Sequence, residues 1–335
     1  MSERWYLRAT PPDVSGLLLR GFLGEEDFAP MTAVLNAACA ADGVDRVETV
    51  DDMARVYAHL DNCDPATDVI IAEVDGEMVG YGRALWWQEH EGPYLYLPFC
   101  FLHPDQRSRG IGTTMLVHNE ARLREIAAAH PADAEQYFEV SHAESEAGAA
   151  ALYASAGYAP YVYSADMVRP DLESLPEAPL PEGLVVRPPR DDEMRVVWEA
   201  DVEAFRDHLG SAPATDNQYR EFLEFPWNDP SLWRVAWDGE QVAGQVRSYI
   251  NENENREFGR KRGYVEFISV RRPYRRRGLA RSLIVQSLQA VKDRGMTEAA
   301  LDVLTENLHG AFRLYGSVGF RMVRTWTSLR KSLDR

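Results

Sequence analysis

Apolar positions in the second half of the chain change from alternating to helical spacing, and the order of these patterns predicts strands and helices in succession. A strand is predicted from Tyr264 to Val270, and an arginine-rich turn leads from it into a helix that begins near Gly278. The helix is indicated by the spacing of Leu279, Leu283, Ile284, Leu288 and Val291. A strand over Ala299–Leu304, a short helix over Ala311–Tyr315 and a last strand from Phe320 follow.

The first half of the chain repeats this succession. It predicts a strand over Tyr94–Leu102, a helix from Gly110 and a strand over Gln136–Ser141. Mixed strands and helices, with a strand, a turn and a helix at the centre, indicate an α/β or α+β domain.

Four local signals recur in the same order, displaced by 162 to 168 residues. They are an apolar strand ending at Arg20 and Arg187, an Asp-Gly hairpin turn at Asp75 and Asp238, an Arg-x-x-Gly-x-small turn at Arg107 and Arg275, and a Leu-Tyr-x-x-x-Gly-aromatic segment at Leu152 and Leu314. A nearly constant displacement of this length indicates a duplicated domain rather than a solenoid of short repeats.

The two copies are separated by residues 169–182, which carry four prolines and several acidic residues and are not expected to form a regular element. The chain of 335 residues is therefore predicted to hold an N-terminal domain at 1–168, a linker at 169–182 and a C-terminal domain at 183–335.

The charge and the apolar content of the chain disfavour nucleic acid and membranes as partners. A formal net charge of −17 disfavours nucleic acid, whose binding depends on neutralising phosphates. No stretch reaches the roughly 18 apolar residues of a membrane span, and the N-terminus lacks a secretory pattern. We therefore expect a cytoplasmic protein, a monomer or a homodimer, without a membrane partner. Cys39, Cys63 and Cys100 lack metal-ligand or redox spacing, which predicts reduced thiols and no metal.

The turn Arg275–Ala280 lies between a strand and a helix, where free backbone N–H groups and the helix dipole favour an anion. Small residues at Gly278 and Ala280 allow a phosphate to approach the backbone. Arginines surround the turn at positions 271, 272, 275, 276, 277 and 281. The chain has no Gly-x-x-x-x-Gly-Lys-Ser/Thr run, and neither turn completes Gly-x-Gly-x-x-Gly, which disfavours a P-loop NTPase and a dinucleotide dehydrogenase.

The segment Val270–Ala280 resembles the acetyl-CoA pyrophosphate-binding motif of the GNAT superfamily, in which Arg/Gln-x-x-Gly-x-Gly/Ala follows an apolar strand. Asn307 with Leu314–Phe320 resembles the motif that follows in many members. Leu102–Gly112 and Leu152–Tyr158 resemble the same pair in the first half. The resemblance implies two tandem GNAT domains, each a mixed, mostly antiparallel central sheet flanked by helices.

Carried over position by position, the resemblance implies acetyl-CoA as the acyl donor and no metal. The strand residues expected to offer backbone groups to the pantetheine arm and the thioester are Ile268, Ser269 and Val270. The pyrophosphate is expected at Arg275, Arg276, Arg277, Gly278, Leu279, Ala280 and Arg281, with Asn307 near the pantetheine. The corresponding first-half residues are Leu102, Arg107, Ser108, Arg109, Gly110, Ile111, Gly112 and Thr113.

Two residues are candidates for the proton transfers. Tyr315 falls on the family's tyrosine that protonates the departing thiolate; its structural alternative is a core aromatic residue. Glu266 precedes Val270 by four residues and shares its strand face, which makes it a candidate base for the acceptor amine. The structural alternative for Glu266 is a solvated residue on the outside of the sheet.

The resemblance implies an N-acetyltransferase that moves an acetyl group from acetyl-CoA to a primary amine of a small molecule by direct attack. One alternative is mycothiol synthase, a tandem member, because Ala204–His208 and Trp227–Pro230 resemble its second half. The acidic strand residue of that enzyme would fall at Tyr264 instead of Glu266. The other alternative is a catalytically silent acyl-CoA-binding module.

The two halves are expected to be unequal, with the second catalytic and the first degenerate. By the displacement of the repeat, Glu266 corresponds to Pro98, and a proline there predicts altered strand pairing where the acyl group should lie. The least repeated segments, including a predicted loop over Asn251–Asn255, are expected to form the acceptor cleft.

Overall fold

The computed structural model describes residues 5–90, 92–206, 208, 210–211, 213–305 and 310–333. The chain forms two compact units. The first comprises the chain up to Tyr161 together with the segment from Thr327, and the second runs from Val162 to Trp326. Among the described residues, no helix combines the length and the apolar character needed to cross a membrane.

Before its last segment, the described part of the first unit contains five strands and five α-helices. The strands are β1 (Leu17–Arg20), β2 (Val69–Val74), β3 (Glu77–Gln88), β4 (Tyr94–Leu102) and β5 (Gln136–Ala143). The helices are α1 (Phe28–Ala41), α2 (Val50–Ala58), α3 (Pro65–Asp68), α4 (Ile111–Ala127) and α5 (Ala147–Ser155).

The second unit repeats this plan. Its strands begin with β6 (Ala159–Arg169), β7 (Val185–Arg187), β8 (Arg234–Asp238), β9 (Gln241–Tyr249), β10 (Arg262–Val270) and β11 (Glu298–Leu304). Its helices are α6 (Met194–Phe205), α7 (Asp216–Glu224), α8 (Glu252–Glu257), α9 (Leu279–Asp293) and α10 (Ala311–Ser317), and β12 (Arg321–Ser332) follows.

In each unit the strands up to the central helix pair in the same way. The order β1-β2-β3-β4 is antiparallel throughout, and β4 then pairs parallel with β5. The order β7-β8-β9-β10 is likewise antiparallel, and β10 pairs parallel with β11. In each unit the strand pairing is mixed and mostly antiparallel, with flanking helices, which confirms the predicted fold class.

Each half of the repeat ends in a long strand, β6 or β12. The later part of that strand pairs within the unit that the other half forms. Strand β6 ends the first half of the repeat, but its part from Val162 pairs antiparallel with β11, for example at Asp166↔Asp302. Strand β12 ends the second half, but its part from Thr327 lies beside β5, where the Leu333 N–H donates to the Gln136 carbonyl at 3.0 Å. The two halves therefore exchange their terminal strands.

Apolar residues of the central helices form the cores against the sheets. Leu283, Ile284 and Leu288 of α9 are fully buried, and the α9 side of β10 contains Gly263, where an added Cβ would lie 2.8 Å from Val291. Residues 170–184, all of them described, form neither helix nor strand, and Leu172 within them is buried in the second unit's core.

Candidate active site

In both units the two parallel strands part halfway along their length. Over the described residues of β10 and β11, pairing ends at Tyr264↔Ala300, although the strands continue to Val270 and Leu304. Pairing of β4 with β5 ends at the corresponding place, Tyr96↔Phe138. Unpaired backbone groups at such a gap are available to an extended ligand.

Strand β10 also carries a bulge at this gap. Its register with β9 shifts by one residue between Glu266 and Ser269, and Phe267 has a φ of +50°. Because Glu266 pairs with Arg247 and Val270 with Gly244, the two residues point to opposite faces, and the prediction that they share a strand face is wrong. A bulge leaves backbone groups out of the ladder and redirects nearby side chains, which is common beside active sites. In the second half, the backbone next to Ile268 and Ser269 is therefore partly released from strand pairing.

The prediction of altered pairing at Pro98 is wrong. Strand β4 keeps one uninterrupted register with β3 from Gly80↔Leu102 to Gln88↔Tyr94, and Pro98 pairs with Ala84. A proline fits such a ladder where its missing N–H points away from the partner strand. The irregular strand is therefore β10. At the equivalent point β4 has no bulge, and Pro98 has no backbone N–H to offer a ligand.

The two predicted phosphate turns have the same backbone conformation. Ser108 and Arg276 both have a φ of +60°, and Gly110 and Gly278 have φ values of +83° and +84° as N-caps of α4 and α9. Successive N–H groups in such a turn form a concave anion-binding site at the helix dipole. A Cβ added at Gly278 would meet no atom within 4 Å, so the space next to this turn is open.

In the second half, the turn and the released strand line one cavity of about 390 Å³. The predicted residues that line it are Ile268, Ser269, Val270, Arg275, Arg276, Gly278, Leu279, Ala280, Arg281 and Tyr315. Arg275 is held by backbone carbonyls, donating from Nε to Val270 at 2.9 Å and from Nη2 to Ala204 at 3.0 Å. Among the described residues around this cavity, none carries a carboxylate.

Two predicted cofactor residues of the second half are not among those lining the cavity. Arg277 directs Nη2 towards the Glu182 carbonyl at 3.4 Å. Asn307 lies outside the described residues. Ala204, Phe205 and His208, from the segment that resembles mycothiol synthase, also line the cavity, although the sequence motifs did not predict a cofactor role for them.

The first half has a cavity of similar size, about 370 Å³, but with different charges. Its predicted lining residues are Leu102, Arg107, Ser108, Gly110, Gly112 and Thr113. Arg107 forms a two-pronged ion pair with Asp42, with N···O distances of 2.7 and 2.8 Å. Asp42 and Glu146 both line this cavity, and burial raises the pKa of Glu146. Its only lining arginine among the described residues is thus already neutralised.

Two predicted first-half residues are not among those lining this cavity. Arg109 is exposed and bonds to Gln106. Ile111 is fully buried in the core beneath the turn. Neither side chain therefore faces this cavity.

Tyr315 and Tyr153 occupy matching places on α10 and α5, each lining the cavity of its own half. Both are buried, and burial raises the pKa of each phenol. For Tyr315, the negative charges of Glu266 and Asp302 raise it further. A phenol in this state keeps its proton at neutral pH and is therefore present as a hydrogen-bond donor.

Glu266 is half-buried and lies where β10 and β11 part. Its Oε1 accepts a hydrogen bond from the Asp302 N–H at 3.1 Å, and its carboxyl is also hydrogen-bonded to the Asp302 side chain. Burial, followed by the charge of Asp302, raises the pKa of Glu266 well above its ordinary value. Sequence reasoning missed Asp302, although it lies two residues beyond the last parallel pair, as Glu266 does.

Aromatic rings lie beside Glu266 on the same face of the sheet. Tyr249 and Tyr264 are cross-strand partners with ring centroids 4.8 Å apart and nearly parallel rings. Phe225 packs edge-on against Tyr249 at 5.1 Å, and Phe267 is 39% exposed. We call Phe225, Tyr249, Tyr264 and Phe267 the aromatic cluster.

The segment predicted as a loop over Asn251–Asn255 is largely helical. The Asn251 side chain accepts from the N–H groups of Asn253 at 3.1 Å and Glu254 at 3.0 Å, and so caps α8. Glu254 of α8 accepts a hydrogen bond from the Tyr264 hydroxyl and thus borders the aromatic cluster. Within the described part of the chain, no group of three or more His, Cys, Asp or Glu side chains is arranged to hold a metal ion.

Comparison with known proteins identifies the family. The family model described as the acetyltransferase (GNAT) family matches residues 37–158 and 198–320. A mycothiol acetyltransferase from Geodermatophilus obscurus is 28% identical over 299 residues, which cover 87% of this chain and 90% of that protein.

Solved structures show the same fold over nearly the whole length. A GCN5-related N-acetyltransferase from Sphaerobacter thermophilus superimposes with a TM-score of 0.70 at 24% identity, covering 97% of this chain and 98% of that one. A tandem GNAT protein from the clavulanic acid biosynthesis pathway has a TM-score of 0.64 at 17% identity, covering 95% and 99%. Since the family model matches most of both halves, the chain belongs to the acetyltransferase (GNAT) family and is a tandem N-acetyltransferase, an enzyme that transfers an acetyl group to an amine.

Proposed function

We propose that the second half is the catalytic half and that it binds acetyl-CoA in the 390 Å³ cavity. The observation that carries this proposal is the meeting of three features at that cavity: the phosphate turn, the backbone released by the bulge in β10, and Tyr315. The first half has the turn and Tyr153, but its strand is regular and its arginine is paired with Asp42.

The residues around the second cavity fit a pyrophosphate. Arg275, Arg276 and Arg281 line it, and the N–H groups in the first turn of α9 have no partner within the helix by its geometry. Arginine suits phosphate because its planar group offers several donors. The Arg281 Nη1 is held by the Ser317 hydroxyl at 2.6 Å, which orients it beside the turn.

In this proposal the protein's side chains carry out two proton transfers. The thioester supplies the acetyl group and leaves as a thiolate. Tyr315 gives its proton to the sulfur as the C–S bond breaks, and Glu266 takes the proton that the acceptor nitrogen loses as the N–C bond forms. The backbone next to Ile268 and Ser269, released by the bulge, orients the thioester carbonyl.

The acceptor is a small molecule with a primary amine, placed on the face of the sheet that carries Glu266. The aromatic cluster on this face offers flat apolar surface to a ring or an aliphatic part of the acceptor. The nearby carboxylates Glu254 and Asp302 favour an acceptor that arrives as an ammonium ion, which gives one proton to solvent before the neutral amine attacks the thioester.

A second candidate is the acetylation that yields mycothiol. It is supported by the similarity to mycothiol acetyltransferases, which extends over 90% of the length of the protein from Geodermatophilus obscurus. At the position where the mycothiol synthase resemblance calls for an acidic residue, this chain has Tyr264, whose hydroxyl is bonded to Glu254. A panel of primary amines that includes desacetylmycothiol, assayed for acetyl-CoA consumption, distinguishes the two candidates.

The cofactor site is tested by calorimetric titration of acetyl-CoA into the wild-type protein and two single variants. Arg276→Ala removes a cationic donor that lines the cavity, and we expect acetyl-CoA affinity to fall roughly tenfold or more, as for hydrogen bonds to charged groups. Arg277→Ala is the control, because Arg277 is bonded to the Glu182 carbonyl instead; its affinity should stay within about twofold. Equal losses in both variants, or no binding at millimolar acetyl-CoA, would contradict the proposed site.

A further inference from the structure

We propose that Asp302 is a positioning residue for Glu266: the two carboxyl groups share one proton across the gap between β10 and β11, and the charge of Asp302 makes Glu266 a stronger base. This inference rests on the proposed role of Glu266 and adds a residue that the sequence motifs do not mark. It concerns how the enzyme prepares its proton acceptor before the acceptor amine arrives.

The register of the parallel strands β10 and β11 places Glu266 beside Asp302. Glu266 and Asp302 each lie two residues beyond the last parallel pair, Tyr264↔Ala300, so they stand level with each other where pairing has stopped. The Glu266 carboxyl takes the place of the missing strand contact by accepting the Asp302 N–H at 3.1 Å. This bond fixes Glu266 in the gap and keeps it facing Asp302.

Among the described residues, the charges that act on Glu266 come first from the carboxylates of Asp302 on β11 and Asp166 on β6, and the phenols of Tyr249 and Tyr315 also lie near it. Its cross-strand partner on β9 is Arg247, which is paired with Asp201 at 2.8 Å, while Asp166 is paired with Arg324 at 3.1 Å. Two carboxylates in contact under these conditions favour holding one proton between them.

Electrostatics assigns that proton to Glu266. Burial and the Asp302 charge raise the pKa of Glu266 well above its ordinary value, while the hydrogen bond from Glu266 opposes the rise in the pKa of Asp302 caused by burial. The proton is released from Glu266 as the pH rises. The resulting carboxylate then accepts the proton of the acceptor nitrogen, while Tyr315 supplies the proton that goes to sulfur.

The first half offers an internal comparison. Its last parallel pair is Tyr96↔Phe138, and two residues further stand Pro98 and Val140. Both carboxylates of the second half are therefore replaced by apolar residues at the matching points. The pair is confined to the half that has the bulge and the arginine-lined cavity.

The test is isotope-edited infrared spectroscopy of the full chain, with ¹³C-labelled glutamate, over a range of pH. In the wild-type protein we expect a protonated glutamic acid at neutral pH that disappears in Glu266→Gln. In Asp302→Asn the same signal should titrate at a pH lower by about one unit or more, since a neighbouring negative charge has been removed. Glu298→Gln, on the same strand but roughly 13 Å away, should leave the titration unchanged.

A wild-type signal unaffected by Glu266→Gln, or an Asp302→Asn titration that does not move, would overturn the inference. Acetyl-CoA binding and thermal unfolding of each variant establish that it is folded, and Asp302→Glu, which restores the charge, should return the titration towards wild type. This result is separate from the proposed function. Glu266→Gln tested for turnover decides the role of Glu266 itself, whichever way the infrared titration comes out.

Discussion

At the scale of single residues, Tyr315 and Tyr153 differ in their surroundings rather than in their position. Each is buried on a short helix and lines a cavity next to a phosphate turn. The electrostatic neighbours of Tyr315 are Glu266 and Asp302, whereas those of Tyr153 are Cys100 and Glu146. Only Tyr315 is therefore placed near both a proton acceptor and a released strand.

We predict that Tyr315→Phe lowers kcat roughly 100-fold or more, in the range expected for loss of a general acid. Acetyl-CoA affinity should change little, because the hydroxyl is needed mainly as the thiolate departs. Single-turnover kinetics with the best amine of the acceptor panel, together with calorimetry, measures both quantities.

The matched control is Tyr153→Phe, which makes the same change in the first half. It should retain wild-type turnover. If both variants kept full activity under conditions where chemistry limits the rate, neither tyrosine would be the proton donor.

At the scale of elements, the end of β12 is held in the first unit by a buried ion cluster. Arg330 donates from Nη2 to Glu89 at 2.7 Å and from Nε to Glu139 at 2.6 Å, and its guanidinium lies 3.7 Å from the Tyr161 ring centroid. Burial raises the pKa of Glu139 even with this partner present. The first unit therefore depends on a strand encoded at the far end of the chain.

We predict that Arg330→Met lowers the free energy of unfolding by about 3 kcal/mol or more, because it leaves two partly buried carboxylates without their partner. The pKa of Glu139 is already raised in the folded state, so its carboxylate destabilises the fold above that pKa. The loss should therefore shrink as the pH falls and Glu139 takes up a proton.

Urea denaturation followed by tryptophan fluorescence measures this effect. Arg109→Met is the control in the same unit, since Arg109 is exposed and its change should cost at most about 0.5 kcal/mol. An Arg330→Met loss no greater than that of the control would show that the cluster does not stabilise the unit.

The elements also show what the sequence can and cannot predict. The strands and helices around both phosphate turns follow from apolar spacing and from Gly110 and Gly278, since these signals are local. The exchange of β6 and β12 does not follow, because the partner of a strand is decided by contacts far away in sequence. The sequence predicts a loop at Asn251, where the structure has a helix cap, because capping side chains and loop residues are the same residue types.

The same limit applies to the candidate site. Strand alternation predicts that Glu266 shares a face with Val270, but the bulge in β10 puts the two on opposite faces. The neighbour of Glu266, Asp302, becomes visible only when the register of β10 and β11 is known. Pro98 does correspond to Glu266, as the repeat predicts. The predicted disturbance of strand pairing at Pro98 is wrong, because β4 pairs with β3 without interruption. The sequence therefore predicts which residues of the two halves correspond, but it does not predict which residues meet across neighbouring strands.

At the scale of the whole molecule, duplication has given two cavities of similar size with opposite electrostatic character. Arg275, Arg276 and Arg281 line the second cavity, whereas Asp42 and Glu146 line the first and Asp42 neutralises Arg107. A pyrophosphate carries negative charge, so the first cavity disfavours it. We therefore predict that turnover depends on the turn of the second half and not on that of the first.

Ser108 and Arg276 make this prediction testable with matched variants, because both already have a φ of +60° and neither change replaces a glycine. Arg276→Glu should abolish turnover of acetyl-CoA by placing a carboxylate beside the phosphate, while Ser108→Glu should leave turnover close to wild type. Arg276→Ser copies the first-half residue into the second turn and separates the loss of the arginine from the added charge, with an intermediate fall expected. Turnover is measured at several acetyl-CoA concentrations on proteins shown by circular dichroism to be folded. If Ser108→Glu were inactive and Arg276→Glu fully active, the first half would be the catalytic one, and the charges lining the two cavities would not be what selects the cofactor.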